Sequence, residues 1–157
     1  MYVIGDTGEE LGGSEYFALL GGTGNVVPKL DAATLKARYG RLTEAISHEL
    51  VASAFPVSHG GLGTALAKVA IAGQLGMDIT IPSSMRPDYY LFSESLGRFV
   101  VTVAPDHKRE FERYCGADAL LLGRVGGKNL RITSDKLLLD LPVAELETVY
   151  KAPFRGY

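Results

Sequence analysis

Residues 98–142 read RFVVTVAPDHKREFERYCGADALLLGRVGGKNLRITSDKLLLDLP. The succession of patterns in this stretch decides the fold. Arg98–Ala104 alternates, with Phe99, Val101 and Val103 on one face and Val100, Thr102 and Ala104 on the other, which predicts a strand. Pro105–Tyr114 is charged and amphipathic, a helix with Phe111 and Tyr114 turned inward. Leu120–Val125 is nearly all apolar and reads as a central strand. Gly126-Gly127-Lys128 reads as a hairpin turn, followed by strands at Leu130–Thr133 and Leu137–Leu141. Pro142 then opens a closing helix, Val143–Tyr150, at the position proline favours.

Working back from there, Pro87–Ser93 reads as a short helix and Asp78–Ile81 as a strand. A helix opens at Gly60–Gly61, with Leu62, Leu66, Val69, Ala70 and Gly73 as its buried stripe and Gly76 as its C-terminal cap. From Asp31 another helix is expected, because Leu35, Leu42, Ile46 and Leu50 fall on one face; Gly40 is expected to break or bend it. The first 25 residues hold Gly5, Gly8, Gly12, Gly13, Gly21, Gly22 and Gly24. They predict mostly loop, with a strand at Tyr2–Ile4 and a helical turn around Ser14–Leu20. Helices alternate with strands first and hairpins follow, so the expected class is α+β with a mixed sheet.

The 157 residues suit one domain. Sixteen basic and 18 acidic side chains leave a net charge of −2, without the basic face of a nucleic-acid binder. No apolar run reaches the roughly 20 residues of a membrane helix. The lone Cys115 excludes an internal disulfide and a cysteine zinc site, and fits a reducing, cytoplasmic setting. Glycine is the outlier, at 19 residues.

Chemistry is narrowed by elimination. His48-Glu49 opens like a zinc-protease helix, but position 52 is Ala52, and His48, His59 and His107 share no ligand spacing. Ser58 is no nucleophile elbow, since position 56 is Pro56. Cys115 has no base near it in sequence. Neither a metal ligand nor a catalytic residue is assigned. Three segments remain: Glu9–Tyr16 with Gly12, Gly13 and Ser14; Val57–Gly63 with Ser58, His59, Gly60 and Gly61; and Leu91–Gly97 with Glu94 and Ser95. Glycine-flanked amides at a helix start suit an anion. Close packing or turns are the commoner use of glycine motifs this short. A glutamate between two serines suits a ribose or an amide, but the pattern alone favours a helix cap and turn.

Taken in order, these segments, with Gly97–Val103, Leu122-Gly123-Arg124-Val125 and Leu139–Leu146, resemble the C-terminal domain of phosphoribosylformylglycinamidine synthase, over nearly the whole chain. The resemblance implies a three-layer α/β/α sandwich with a mixed sheet and partly ferredoxin-like topology. It implies that residues 1–157 are the single C-terminal domain of a larger multidomain synthetase, in the superfamily of aminoimidazole ribonucleotide synthetase. That enzyme forms formylglycinamidine ribonucleotide from formylglycinamide ribonucleotide, glutamine-derived ammonia and ATP, activating the amide oxygen as an iminophosphate that ammonia displaces.

The resemblance also implies nucleotide or phosphate contacts at Gly12, Gly13, Ser14, Ser58, His59, Gly60 and Gly61, with ATP or ADP and Mg2+ held mostly by preceding domains. Two departures stand out. The family usually carries Asp where this chain has His59, and Glu-Ser-Gln where it has Glu94-Ser95-Leu96. Glu94 and Ser95 are then relics of a substrate site or contacts to an auxiliary nucleotide. An end at Tyr157 without a glutaminase domain fits the small form of the enzyme, which takes ammonia from separate glutaminase and small accessory subunits. The isolated piece is expected to be inactive and to self-associate through the apolar face its partner domain would cover. The alternatives are a non-catalytic scaffold or auxiliary nucleotide-binding domain, and a domain of aminoimidazole ribonucleotide synthetase.

Overall fold

The computed structural model describes residues 1–156. In chain order the elements are β1 (Tyr2–Ile4), α1 (Glu15–Leu19), α2 (Ala32–Ser47), β2 (Ser53–Pro56), α3 (Gly61–Gly73), β3 (Met77–Thr80), α4 (Pro87–Phe92), β4 (Phe99–Thr102), α5 (Lys108–Cys115), β5 (Ala119–Leu121), β6 (Gly123–Val125), β7 (Asn129–Thr133), β8 (Leu137–Pro142) and α6 (Val143–Lys151). They build an α+β fold around two four-stranded sheets.

The first sheet runs β2-β4-β1-β5, every neighbour antiparallel. With α2 joining β1 to β2 and α5 joining β4 to β5, this is the βαββαβ order of a ferredoxin-like sheet, split by an insertion that carries α3, β3 and α4. Helices α2 and α5 cover one face. Tyr2, Ile4, Leu42, Ala45, Val101 and Phe111 are buried there, with the Tyr2 and Phe111 rings 5.0 Å apart. The second sheet runs β6-β3-β7-β8 and is mixed, since β3 and β7 are parallel. The larger core joins the two sheets. Val3 and Val100 of the first and Met77, Ile79, Leu130 and Ile132 of the second pack with Leu62 and Leu66 of α3.

Five local expectations are corrected. Gly40 does not break α2, which runs through it and which Asp31 caps by accepting from the Ala33 and Thr34 amides. Buried Arg38 and Leu42 flank Gly40 on the inner face and hold the turn in place against glycine's cost of about 1 kcal/mol. Ile46 faces solvent, and Leu50 is buried from beyond the helix end. Gly76 does not cap α3; Gln74 does so, in the left-handed region at φ 50°. Gly76 instead lets the backbone lie against Asn129, where any Cβ would collide with the main chain.

The run Leu120–Val125 is not one central strand. It breaks at Leu122, which is buried in the larger core and donates its amide to the Met1 carbonyl at 3.0 Å. The first half, β5, is an edge of one sheet, and the second, β6, an edge of the other. Gly123 permits the crossing, because a Cβ there would strike the Asp78 carbonyl. The turn at 126–128 is therefore no hairpin: β6 and β7 flank β3 on opposite sides. The hairpin is β7–β8, closed by the Ser134 amide on the Lys136 carbonyl at 2.9 Å. Strand β2 is an addition, an exposed edge ending in Pro56 as edges tolerate. No helix among the described residues is long and apolar enough to cross a membrane.

Candidate functional site

The three segments singled out in the sequence meet at one place. Residues 93–95, after α4, lie along the N-terminal loop. The Ser93 hydroxyl accepts the Glu10 amide at 3.1 Å and the Ser95 hydroxyl accepts the Gly8 amide at 2.9 Å. Between them the Glu94 amide reaches the Glu10 carbonyl at 3.4 Å. Ser93 and Ser95 are buried, which unpaired hydroxyls would not tolerate. Neither caps a helix N-terminus here; both pin a loop more than 80 residues away in the chain.

Glu94 turns to the other side. Its Oε1 accepts two amides, from Glu15 at the start of α1 and from Gly60 before α3, both at 2.9 Å. Its Oε2 lies 3.5 Å from His59 Nδ1, and His59 is also 4.0 Å from a Glu15 oxygen. The Glu94 side chain is only 15% exposed, while that of His59 is 83% exposed. The two glycine segments thus meet at Glu94, a carboxylate of the chain itself that fills the space where an external anion would sit.

The amides of the first bend are spent elsewhere. Gly12 donates to the Val26 carbonyl and Gly13 to Thr23, both at 2.7 Å. Gly12 is glycine because a Cβ would sit 2.6 Å from the Val26 backbone. Ser14 is buried and caps α1, accepting the Phe17 amide at 3.2 Å while donating to the Leu11 carbonyl at 2.7 Å. In the second bend the Gly61 amide meets the Ser58 carbonyl at 2.9 Å. Gly61 has φ +66°, and its Cβ would lie 2.6 Å from the Leu91 carbonyl oxygen. Helix α3 therefore begins hard against the end of α4, and Tyr16 stacks on Phe92 beside it, ring centres 4.7 Å apart.

Arg98 is the residue the sequence did not single out. It is 1% exposed, and its guanidinium donates to the Ser95 carbonyl at 3.1 Å, to Thr7 Oγ1 at 2.8 Å and to the Ser93 carbonyl. Burial pushes it down to about 10, so it remains a cation at neutral pH. Read alone, it opens a strand as an ordinary surface arginine; no local signal marks its burial. Arg38 of α2 approaches the same turn through the Gly97 carbonyl at 3.5 Å and pairs with Asp6 at 2.9 Å.

A profile of the AIR synthase related protein, C-terminal domain family matches residues 1–135. The chain belongs to that family. Among curated relatives of this AIR synthase related domain, phosphoribosylformylglycinamidine synthase subunit PurL of Moorella thermoacetica is 36% identical over 151 residues, covering 93% of this chain and 21% of that protein. PurL of Synechocystis sp. is 38% identical over 156 residues. The chain spans about a fifth of the length of these relatives. Among solved structures, Thermotoga maritima PurL complexed with FGAR has a TM-score of 0.77 at 20% identity, covering 93% of this chain and 27% of that one. At that identity the likeness establishes the fold.

No cluster of three or more histidine, cysteine or acidic side chains able to hold a metal occurs among the described residues. Cys115 is buried, and desolvation, with Asp118 beside it, raises its thiol to about 11. The native chain is therefore expected to leave Cys115 unmodified by a thiol reagent such as DTNB at pH 8, with one equivalent reacting once the chain is unfolded. Stoichiometric colour from the native chain would show the thiol to be accessible.

Proposed function

We propose that residues 1–157 are the single C-terminal domain of a larger multidomain phosphoribosylformylglycinamidine synthase, the ATP-dependent ligase that forms formylglycinamidine ribonucleotide in purine biosynthesis. Relatives of this length ratio, all named as its PurL subunit, support the reading. The setting proposed with it is the cytoplasm. The partners are the preceding domains of the same enzyme, with glutaminase and small accessory subunits supplying ammonia.

ATP or ADP with Mg2+ belongs to that whole enzyme. The residues of this chain do not offer its phosphates a ready cradle: the Gly12, Gly13 and Gly61 amides are bonded to backbone carbonyls and the Gly60 amide to Glu94. Three carboxylates, Glu10, Glu15 and Glu94, stand around the junction, and the solvent-facing ring of His59 lies against two of them, Glu15 and Glu94. The proposed division of labour follows. Ser58 and His59, both exposed, are the contacts available to a nucleotide held by the preceding domains. Gly12, Gly13, Ser14, Gly60 and Gly61 shape the wall that carries them, and Ser95 and Glu94 fix it.

The observation that carries the reading is the convergence of three ordered motifs on one exposed lip. Its test is turnover. The isolated chain is expected to fold and to show no synthetase activity, and the missing upstream portion, added in trans, is expected to restore it. Synthesis of formylglycinamidine ribonucleotide by this chain alone would overturn the proposal. A non-catalytic scaffold is the second reading, favoured by the occupied amides. Under it, His59→Ala leaves the KM for ATP of the reconstituted enzyme unchanged, whereas the contact proposed here raises it.

A further inference from the structure

The geometry points to Glu94 as a built-in anion that clamps two loops together and fills the junction between them. Two amides far apart in sequence, 79 and 34 residues from Glu94, end on one carboxylate oxygen at equal distances of 2.9 Å. Backbone amides aimed at one point are the usual receptor for an external phosphate or carboxylate. Here the chain supplies the anion itself. The carboxylate is mostly buried, and charge-assisted bonds of this kind are roughly twice as strong as neutral ones.

The arrangement is prepared from behind. Arg98 holds the carbonyls on either side of Glu94, those of Ser93 and Ser95, and the two serine hydroxyls hold Glu10 and Gly8. With both flanks pinned to the N-terminal loop, the Glu94 side chain has one direction left, toward Glu15 and Gly60. Arg98 is thus the positioning residue of the clamp. The ionisable groups facing Glu94 are Arg98 and Glu10 behind, and Glu15 and His59 in front. His59 touches only the outer oxygen, so the amide bonds do not depend on its charge. The consequence is that the N-terminal loop and the start of α3 move as one body, and an external anion reaches the two amides only by displacing Glu94. The clamp does not depend on the proposed ligase activity.

Amide hydrogen exchange on the full 157-residue chain, read residue by residue by NMR, tests this. In Glu94→Ala, exchange at both Glu15 and Gly60 is expected to accelerate together, by at least about tenfold. In Glu94→Gln, which keeps one acceptor oxygen without the charge, both should accelerate less. Adding acetate to Glu94→Ala, as a free carboxylate of the lost size, should slow both amides again and leave the native chain unchanged. The clamp is refuted if either amide keeps its native rate in Glu94→Ala, or if acetate fails to slow both. Should Glu94→Ala not fold, Glu94→Gln decides: joint acceleration supports the clamp, and native rates at either amide refute it.

Discussion

Arg98→Met is expected to destabilise the chain by about 3–5 kcal/mol, the range for stripping one partner from a buried charged network. Methionine fills most of the space but donates nothing. The Ser93 and Ser95 carbonyls and the Thr7 hydroxyl would each lose a buried donor, at about 1–3 kcal/mol apiece if left unmade. The full sum is not expected, since Thr7 is the member nearest solvent and can turn to water. Arg98→Lys keeps the charge without the planar fork, so it should fall between the two. Urea unfolding followed by circular dichroism measures this directly. The midpoint should drop with the slope unchanged. A midpoint within experimental scatter of the native value for Arg98→Met would mean the guanidinium organises nothing.

Gly61→Ala is the second large effect, expected to cost about 3 kcal/mol. Two penalties combine. Alanine at φ +66° is strained by roughly 1–3 kcal/mol. Its methyl would also press on the Leu91 and Ser93 carbonyl oxygens at 2.6 and 2.7 Å, which are backbone and cannot swing aside. To relieve the clash α3 must back away from α4, which moves Gly60 off Glu94. Gly13→Ala is the internal control. Its φ of +72° is as unfavourable, but its Cβ meets nothing within 4 Å, so only the conformational cost of about 1–2 kcal/mol remains. Thermal unfolding of the two variants side by side should rank Gly61→Ala clearly below Gly13→Ala. Equal melting temperatures would show that the close approach of α3 to α4 is not tight.

The legible part of the protein is what neighbours in sequence decide. The apolar period that marks α3 is local, as are the helix from Asp31, the helical turn around Ser14–Leu20 and the alternation that makes β4 a strand, and these elements stand in the structure, although Gly73 at the end of the α3 stripe is exposed. The ordered motifs also pointed to the three segments that meet at the junction. The failures have one cause. Leu120–Val125 reads as one strand because each residue in it is suited to a strand; that Leu122 is claimed by the larger core while Leu121 stays exposed at the edge of the first sheet depends on where Met1 and Asp78 lie. Gly76 reads as a cap because it follows a helix, yet its role is set by Asn129 across the second sheet.

Arg98 and Glu94 show the same division at the site. Nothing near Arg98 in sequence announces that its guanidinium is sealed from water, because its partner Thr7 and the loop it braces arrive from the far end of the chain. The glycine bends promised free amides, and a bend's chemistry does provide them. Whether an amide stays free is settled by whichever acceptor the fold brings within 3 Å, and for Glu15 and Gly60 that acceptor is Glu94. Residue identities specify donors, acceptors and local shape; the folded chain alone specifies their pairing, because hydrogen bonds and burial are decided by distance in space and not by distance along the backbone.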